Sequence, residues 1–257
     1  MNKCSLRLRI FCLAAIIIGY ICCPTLKIVY YEFETDSIDK PVKIVFLSDV
    51  HNTLYGKGQR ELTDIIGKFG ADIVLFGGDL FDDSVNEKNS WLLVDALAGE
   101  YPCFYAVGNH ETRRGRADEI KTEMSRHGVT VLEDASEVLE INGQKIRICG
   151  TENVWDENAA SQLDETYSVL LHHFPADFPE MSKKGFDLIL TGHAHGGQWR
   201  IPQLMNGLLS PGEGFFPKYA GGYYSENGSE MIVSRGLCRN LIPRIFNRPE
   251  IILITIK

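Results

Sequence analysis

The sequence predicts an α/β fold on three observations. Short apolar runs of strand length recur along the chain, helix-patterned stretches separate several of them, and no cysteine framework replaces an ordinary hydrophobic core. At 257 residues, 44% hydrophobic and 23% charged, the chain is long enough to bury that core in one domain. Four of the seven cysteines (Cys4, Cys12, Cys22, Cys23) crowd into the first 23 residues, and Cys103, Cys149 and Cys238 are scattered without metal-type spacing.

The first element is an apolar segment. Residues 10–26, IFCLAAIIIGYICCPTL, carry no charge and follow Lys3, Arg7 and Arg9. As a helix the segment would span roughly 25 Å, a little short of a bilayer core of about 30 Å. Snorkelling by Arg9 and Lys27 would close the gap, and Tyr30 and Tyr31 would stand in the outer interfacial belt. The expectation is an N-terminal transmembrane helix: residues 1–31 form a membrane anchor and residues 32–257 the globular domain. The basic flank then predicts a single-pass cell-membrane protein with a cytoplasmic amino terminus and an extracytoplasmic domain. A cleaved signal peptide is the alternative, disfavoured by the lack of a small-x-small cleavage site and by Pro24.

Strands follow at 42–47, 73–76, 103–107, 138–142, 145–149, 167–171, 187–191, 231–234 and 251–256, each a Val/Ile/Leu/Phe-rich run suited to a buried sheet. Helices are expected at 59–69, 86–98 and 117–127, and Asn142-Gly143 supplies the turn of a hairpin within a meander at 129–150. No repeat or linker interrupts 32–257. The net charge is −8, and four basic residues precede the first acid, Glu32, so the domain is more acidic still. That excludes nucleic acid as an expected partner, because such binding rests on basic charge meeting phosphates.

Chemistry is concentrated where the strands end. The successive runs lead into Asp49-Val50-His51, Gly78-Asp79, Gly108-Asn109-His110-Glu111, His172-His173 and Gly192-His193-Ala194-His195. Each motif alone also suits an ordinary turn or helix cap. Together they place six of the seven histidines directly after strands, and ligands in open α/β sheets bind at the carboxyl ends of strands. Carboxylates, imidazoles and an amide without thiolate suit Mn²⁺, Fe²⁺ or Zn²⁺, in a number that fits two ions sharing a carboxylate.

These five blocks, in this order, resemble the signature of the calcineurin-like metallophosphoesterase superfamily. The stretches TGHAHGGQWRIP, SRGLCRN and FNRPEIILI are similar to its membrane-associated YkuE/YaeI-like phosphodiesterase branch. The resemblance implies a four-layer αββα sandwich and two divalent metal ions. One ion would be held by Asp49, His51, Asp79 and His195, the other by Asp79, Asn109, His173 and His193. His173 is preferred to His172 because it stands two residues before Pro175.

His110, not needed as a ligand in this scheme, is assigned to protonating the leaving oxygen or stabilising the transition state, with Glu111 either orienting it or acting as a helix-start acid. Arg113, Arg114 and Arg200 are the candidates for further phosphate contacts. The expected activity is that of a phosphodiesterase, with a phosphomonoesterase or a non-catalytic membrane-tethered scaffold as alternatives. An apolar rim at 215–224 (Phe216, Tyr219, Tyr223) with Leu241, Ile242, Ile245 and Phe246 would suit a lipid-like or pyrophosphate-linked substrate, though core packing would explain the same residues.

Overall fold

Two mixed six-stranded sheets take up nearly all the apolar runs. The computed structural model describes Gly19, Cys22 and residues 25–82, 86–113, 115–152, 155, 157–239 and 243–257. The first sheet has the order β1 (Lys27–Phe33), β14 (Glu250–Ile256), β2 (Val42–Leu47), β3 (Ile73–Phe76), β4 (Cys103–Tyr105) and β5 (Thr130–Val131). β2 to β5 run parallel, and β14 is antiparallel to β2. The second sheet has the order β12 (Gly222–Glu226), β13 (Ser229–Val233), β9 (Leu188–Thr191), β8 (Ser168–Leu171), β7 (Gln144–Gly150) and β6 (Ala135–Ile141). Its inner strands β13, β9, β8 and β7 are parallel, with an antiparallel strand at each edge. A small hairpin, β10 (Leu209–Ser210) and β11 (Gly214–Phe215), stands apart.

Alternation along the strands decides what packs where. Ile44, Phe46, Leu75 and Phe104 of the first sheet meet Ile148, Val169, Leu188 and Ile232 of the second. The opposite face of the first sheet, with Val45, Leu47, Val74, Phe76 and Tyr105, packs on helices α1 (Arg60–Phe69), α2 (Lys88–Ala98) and α4 (Ala117–Arg126). Those helices offer pairs one turn apart, Leu62 with Ile66, Leu93 with Leu97, and Ile120 with Met124. On the far side, Leu170, Ile189 and Met231 of the second sheet are covered by Phe178 and Met181 of α5 (Phe178–Met181) and by Tyr219. Strands buried on both faces read as continuous apolar runs, which is why they were legible. The Asn142-Gly143 turn joins β6 to β7 with both residues at positive φ, as a tight hairpin requires.

The amino-terminal expectation is corrected. Among the described residues, no helix is long and apolar enough to cross a membrane. The structure therefore gives no ground for a transmembrane helix or for the single-pass, extracytoplasmic placement, and most of residues 10–26 lie outside the described residues. The flanking residues also serve another purpose. Lys27, Tyr30 and Tyr31 belong to β1, which pairs in parallel with β14 from Lys27↔Glu250 to Phe33↔Ile256. Arg248 fastens the entry to that strand by donating to the carbonyls of Thr25 and Leu26. The alternation of half-buried and exposed residues in KIVYYEF is that of an edge strand.

Phe46 is fully buried between the sheets. Phe46→Ala should destabilise the protein by about 3–5 kcal/mol, read as a lowered urea midpoint with an unchanged slope.

Candidate metal centre

Two loops that cross between β-strand ends build the floor of the site. The loop after β2 hydrogen-bonds to the loop after β3 through Asp49 N to Gly78 O, His51 N to Asp79 O and Asn52 N to Leu80 O, all 3.0–3.1 Å. The second sheet is tied in by His193 N, which donates to both Asp49 oxygens at 3.0 and 3.2 Å. Glycine is required where these loops touch: a Cβ on Gly108 would lie 2.2 Å from Asp79 Oδ1, and one on Gly192 would lie 1.9 Å from Ser48 Oγ.

Asp49, His51, Asp79, Asn109, His110, His173, His193 and His195 all converge here. Potential ligand atoms fall into three groups, each with its atoms within 4.8 Å of one another: Asp49, His51 and His195; His51, Asp79 and His110; and Asp79, His173 and His193. Asp79 Oδ2 lies 3.2 Å from His173 Nε2 and 3.7 Å from His51 Nε2, and Asp49 Oδ1 lies 3.5 Å from His195 Nε2. Asp79 thus belongs to two groups.

The donor set fits divalent cations on its own chemistry. His51 Nε2 is buried with no hydrogen-bond partner. His193 Nε2 lies 2.8 Å from the Pro211 carbonyl, which only accepts, so the neutral ring carries its proton there and turns the Nδ1 lone pair toward Asn109. Asn109 Oδ1 is 2.6 Å from that nitrogen, two acceptors face to face, which a cation ligated by both from one side would reconcile. Without a cation, rotating the amide lets its nitrogen donate instead, and its oxygen then meets Arg113 Nη2 at 3.2 Å.

Burial sets the protonation of these groups. It opposes charge on His173, but the Asp79 carboxylate outweighs it and raises His173 to about 10; the same pairing holds Asp79 well below the usual carboxylate range despite its burial. Burial, seconded by the charge of His173, lowers His193 to about 4. Burial also lowers His51, and it lowers His195 with help from His51 and Arg244. Asp49 is pushed up by burial.

His110 is half-buried at the start of α3 (Asn109–Arg113), its ring edge-on to His51 at 4.6 Å and its backbone N–H donating to Asp79 Oδ1 at 2.8 Å. Arg113 is exposed beside Asn109. Arg200 turns elsewhere: its guanidinium donates to Asn206 and shares a half-buried cluster with Arg235 and Glu250. Arg114 lies outside the described residues. His172 points away from the centre, its two nitrogens held by Thr151 and Asp177. His127 pairs with Asp95 and stacks on Trp91.

Glu111 takes a part that neither sequence reading described. Fully buried, it accepts hydrogen bonds from the backbone N–H groups of Asp79 (3.1 Å), Phe81 (3.2 Å) and Gly108 (3.0 Å), stapling two ligand loops together. Burial and the charge of Asp79 push it up to about 7 against those bonds. Arg244, which meets the His195 ring, and Asn247, which holds the His195 loop, were also missed, because no local pattern sets them apart.

Residues 42–197 match the family model described as calcineurin-like phosphoesterase. The chain belongs to that family. As a calcineurin-like phosphoesterase it is a phosphoric ester hydrolase of a family that uses divalent metals. It is 29% identical over 229 residues to phosphodiesterase YaeI of Escherichia coli K12, covering 83% of this chain and 82% of that one. It is 29% identical over 231 residues to the uncharacterized metallophosphoesterase YkuE of Bacillus subtilis 168, covering 84% and 79%. An uncharacterized metallophosphoesterase of Helicobacter pylori 26695 shares 30% over 180 residues, 63% of this chain and 47% of that one. Among solved structures, Haemophilus influenzae NAD nucleotidase (NadN) superposes with a TM-score of 0.53 at 17% identity over 81% of this chain and 46% of that one, a likeness of fold alone.

The His173–Asp79 pair makes the metal-free protein sensitive to alkali. A histidine raised to about 10 stabilises the fold fully below its unfolded value near 6.5 and loses that contribution as pH rises through 10. The melting temperature of the metal-free protein should therefore fall between pH 7 and 10, and His173→Gln should flatten that fall.

Proposed function

We propose that the chain is a dinuclear metal-dependent phosphodiesterase acting on a phosphodiester or pyrophosphate-linked substrate with a lipid-like portion. The observation that carries this reading is Asp79, buried, with its Oδ2 between His51 Nε2 of one ligand set at 3.7 Å and His173 Nε2 of the other at 3.2 Å. In this reading Asp49, His51, Asp79 and His195 hold one cation and Asp79, Asn109, His173 and His193 the other, with Mn²⁺, Fe²⁺ or Zn²⁺ matching the donors. Such a pair supplies positive charge for a phosphoryl group and lowers the pKa of water.

The chain's own residues do the rest. Ring packing on His51 and the backbone bond to Asp79 fix His110, which donates a proton to the leaving oxygen. In this reading Arg113, exposed in α3 four residues after Asn109, binds a phosphate oxygen at the rim. Local cations also answer the acidity of the domain, because they give an anion one attractive point on a repelling surface.

The lipid-like portion is supported by the β10–β11 hairpin. Its turn is bonded to His193 through the Pro211 carbonyl, and Phe215 at its far end and Phe216 just beyond are 72% and 68% exposed. Tyr219, by contrast, is buried in the core, and Leu241 and Ile242 lie outside the described residues.

Chelation should abolish turnover of bis-p-nitrophenyl phosphate and added Mn²⁺, Zn²⁺ or Fe²⁺ should restore it, with the diester preferred to the monoester; monoester preference would refute the diesterase reading. His110→Ala should lower kcat by about 10²- to 10⁴-fold while metal content by elemental analysis stays at two ions per chain. Phe215→Ser with Phe216→Ser should raise KM for a long-chain diester while leaving the p-nitrophenyl diester unaffected.

A further inference from the structure

Two of the four histidines in the two assigned ligand sets donate from the nitrogen turned away from the site to a carbonyl, and a third has a carboxylate near it. His173 Nδ1 faces the Gly77 carbonyl at 2.7 Å and His193 Nε2 the Pro211 carbonyl at 2.8 Å, while His51 Nδ1 has the Asp82 carboxylate 3.9 Å away, a negative charge beyond hydrogen-bond reach. An acceptor there fixes the tautomer and makes the facing nitrogen a better electron-pair donor.

His195 is the exception. Its Nδ1 lies 3.3 Å from Nη2 of Arg244, a residue only 7% exposed whose Nη1 donates to the Arg235 carbonyl at 2.7 Å. A guanidinium has no acceptor and keeps its charge, so His195 Nδ1 must accept. The neutral ring then carries its proton on Nε2, the atom that faces Asp49, so a cation bound there must displace that proton and also meets a fixed positive charge behind the ring. The loop does not need that charge for its shape, since Asn247 Nδ2 already donates to the carbonyls of His195 (2.7 Å) and Gln198 (3.1 Å).

Resting on the two-ion reading above, we propose that Arg244 is a positioning residue that lowers the affinity of the Asp49–His51–His195 position for its cation. The guanidinium offsets the carboxylate of Asp49, which the Asn109–His173–His193 position lacks. Both positions then hold an ion through similar net charge, and the ion beside His195 is less neutralised by its surroundings.

The sign of the effect separates this role from a structural one. A clamp, when removed, loosens metal binding; a repelling charge, when removed, tightens it. Calorimetric titration of the metal-free full chain with Mn²⁺ should show one of the two sites about tenfold or more tighter in Arg244→Met and in Arg244→Gln. Arg244→Lys, which keeps the charge, should stay within about threefold of wild type, and Asn247→Ala should bind more weakly.

The wild type gives a readout that needs no variant. In long-range ¹H–¹⁵N correlation of the metal-free protein, His195 Nδ1 should show the shift of an unprotonated acceptor. Unchanged or weaker affinity in the variants that lose the charge, or a protonated Nδ1, overturns the proposal while leaving the two-ion reading intact. Fewer than two ions in the wild type refutes that reading and this inference with it.

Discussion

A carboxylate withdrawn from water among electron-pair donors is the constraint from which the rest of this site follows. Asp79 is 1% exposed, and its Oδ2 faces two imidazole nitrogens. A buried charge is costly unless compensated, and a single backbone N–H on Oδ1 is too little compensation for a full negative charge. The nearest available positive charge in the metal-free protein is a proton on His173, which is why the two groups move each other's protonation so strongly. A divalent cation answers the same demand with more charge and with bonds to several donors at once. Protein burial and metal affinity are two sides of one arrangement.

That arrangement depends on two sheets meeting at one place. Asp49, His51, Asp79, Asn109 and His110 follow strands of the first sheet, and His173, His193 and His195 follow strands of the second. The seam is closed by two backbone N–H groups, His193 N donating to the Asp49 carboxylate and Leu237 N to Ser48 O. The apolar layer under it, with Phe46, Leu75, Val169 and Leu190, keeps the two sets of strand ends in register. Gly192, pressed against Ser48 and Asp49, marks how close the sheets come. Glu111 performs the same service within the first sheet, gathering three N–H groups that would otherwise be buried without partners.

Much of this was legible in the sequence for one physical reason: a strand buried on both faces has no room for polar residues, so the first Asp or His after it stands out. β2 and β3 begin and end where the apolar runs do, and the side chains just beyond them meet at the site. Legibility failed where a role depends on contacts far apart in sequence. Glu111 serves loops 30 and 32 residues away, and Arg244 reaches His195 across 49. It failed at β1 for another reason: the alternating KIVYYEF directly follows a long apolar run and was read as that run's interfacial margin, though its partner strand is the carboxyl-terminal one. Arg200 shows the limit of nearness in sequence, since proximity to the histidine motif did not bring its guanidinium to the centre.

The spacing of the donor pairs has its own explanation in the backbone. In a regular strand, residues two apart share a face but lie roughly 7 Å from each other, too far for one cation to bind both. Asp49 and His51 have φ of 51° and 45°, and His193 and His195 have φ of 65° and 47°. Left-handed turns at both donors bring Asp49 and His51 together in one ligand group and send His193 and His195 into two different ones, while turning the intervening residue the other way. Val50 and Ala194 are accordingly fully buried in apolar surroundings, anchoring the turns from below. A left-handed non-glycine residue costs about 1–3 kcal/mol, least for Asp, Asn and His, so the chain uses ligand-bearing residues where the strain is most easily borne. Asp79, at φ 51°, repeats the device in the next loop, and the Leu80 that follows it is buried in the helix-facing core just as Val50 is. The donor pattern of this centre is therefore a pattern of backbone turns, each held by an apolar neighbour, and the metal chemistry inherits its geometry from the core.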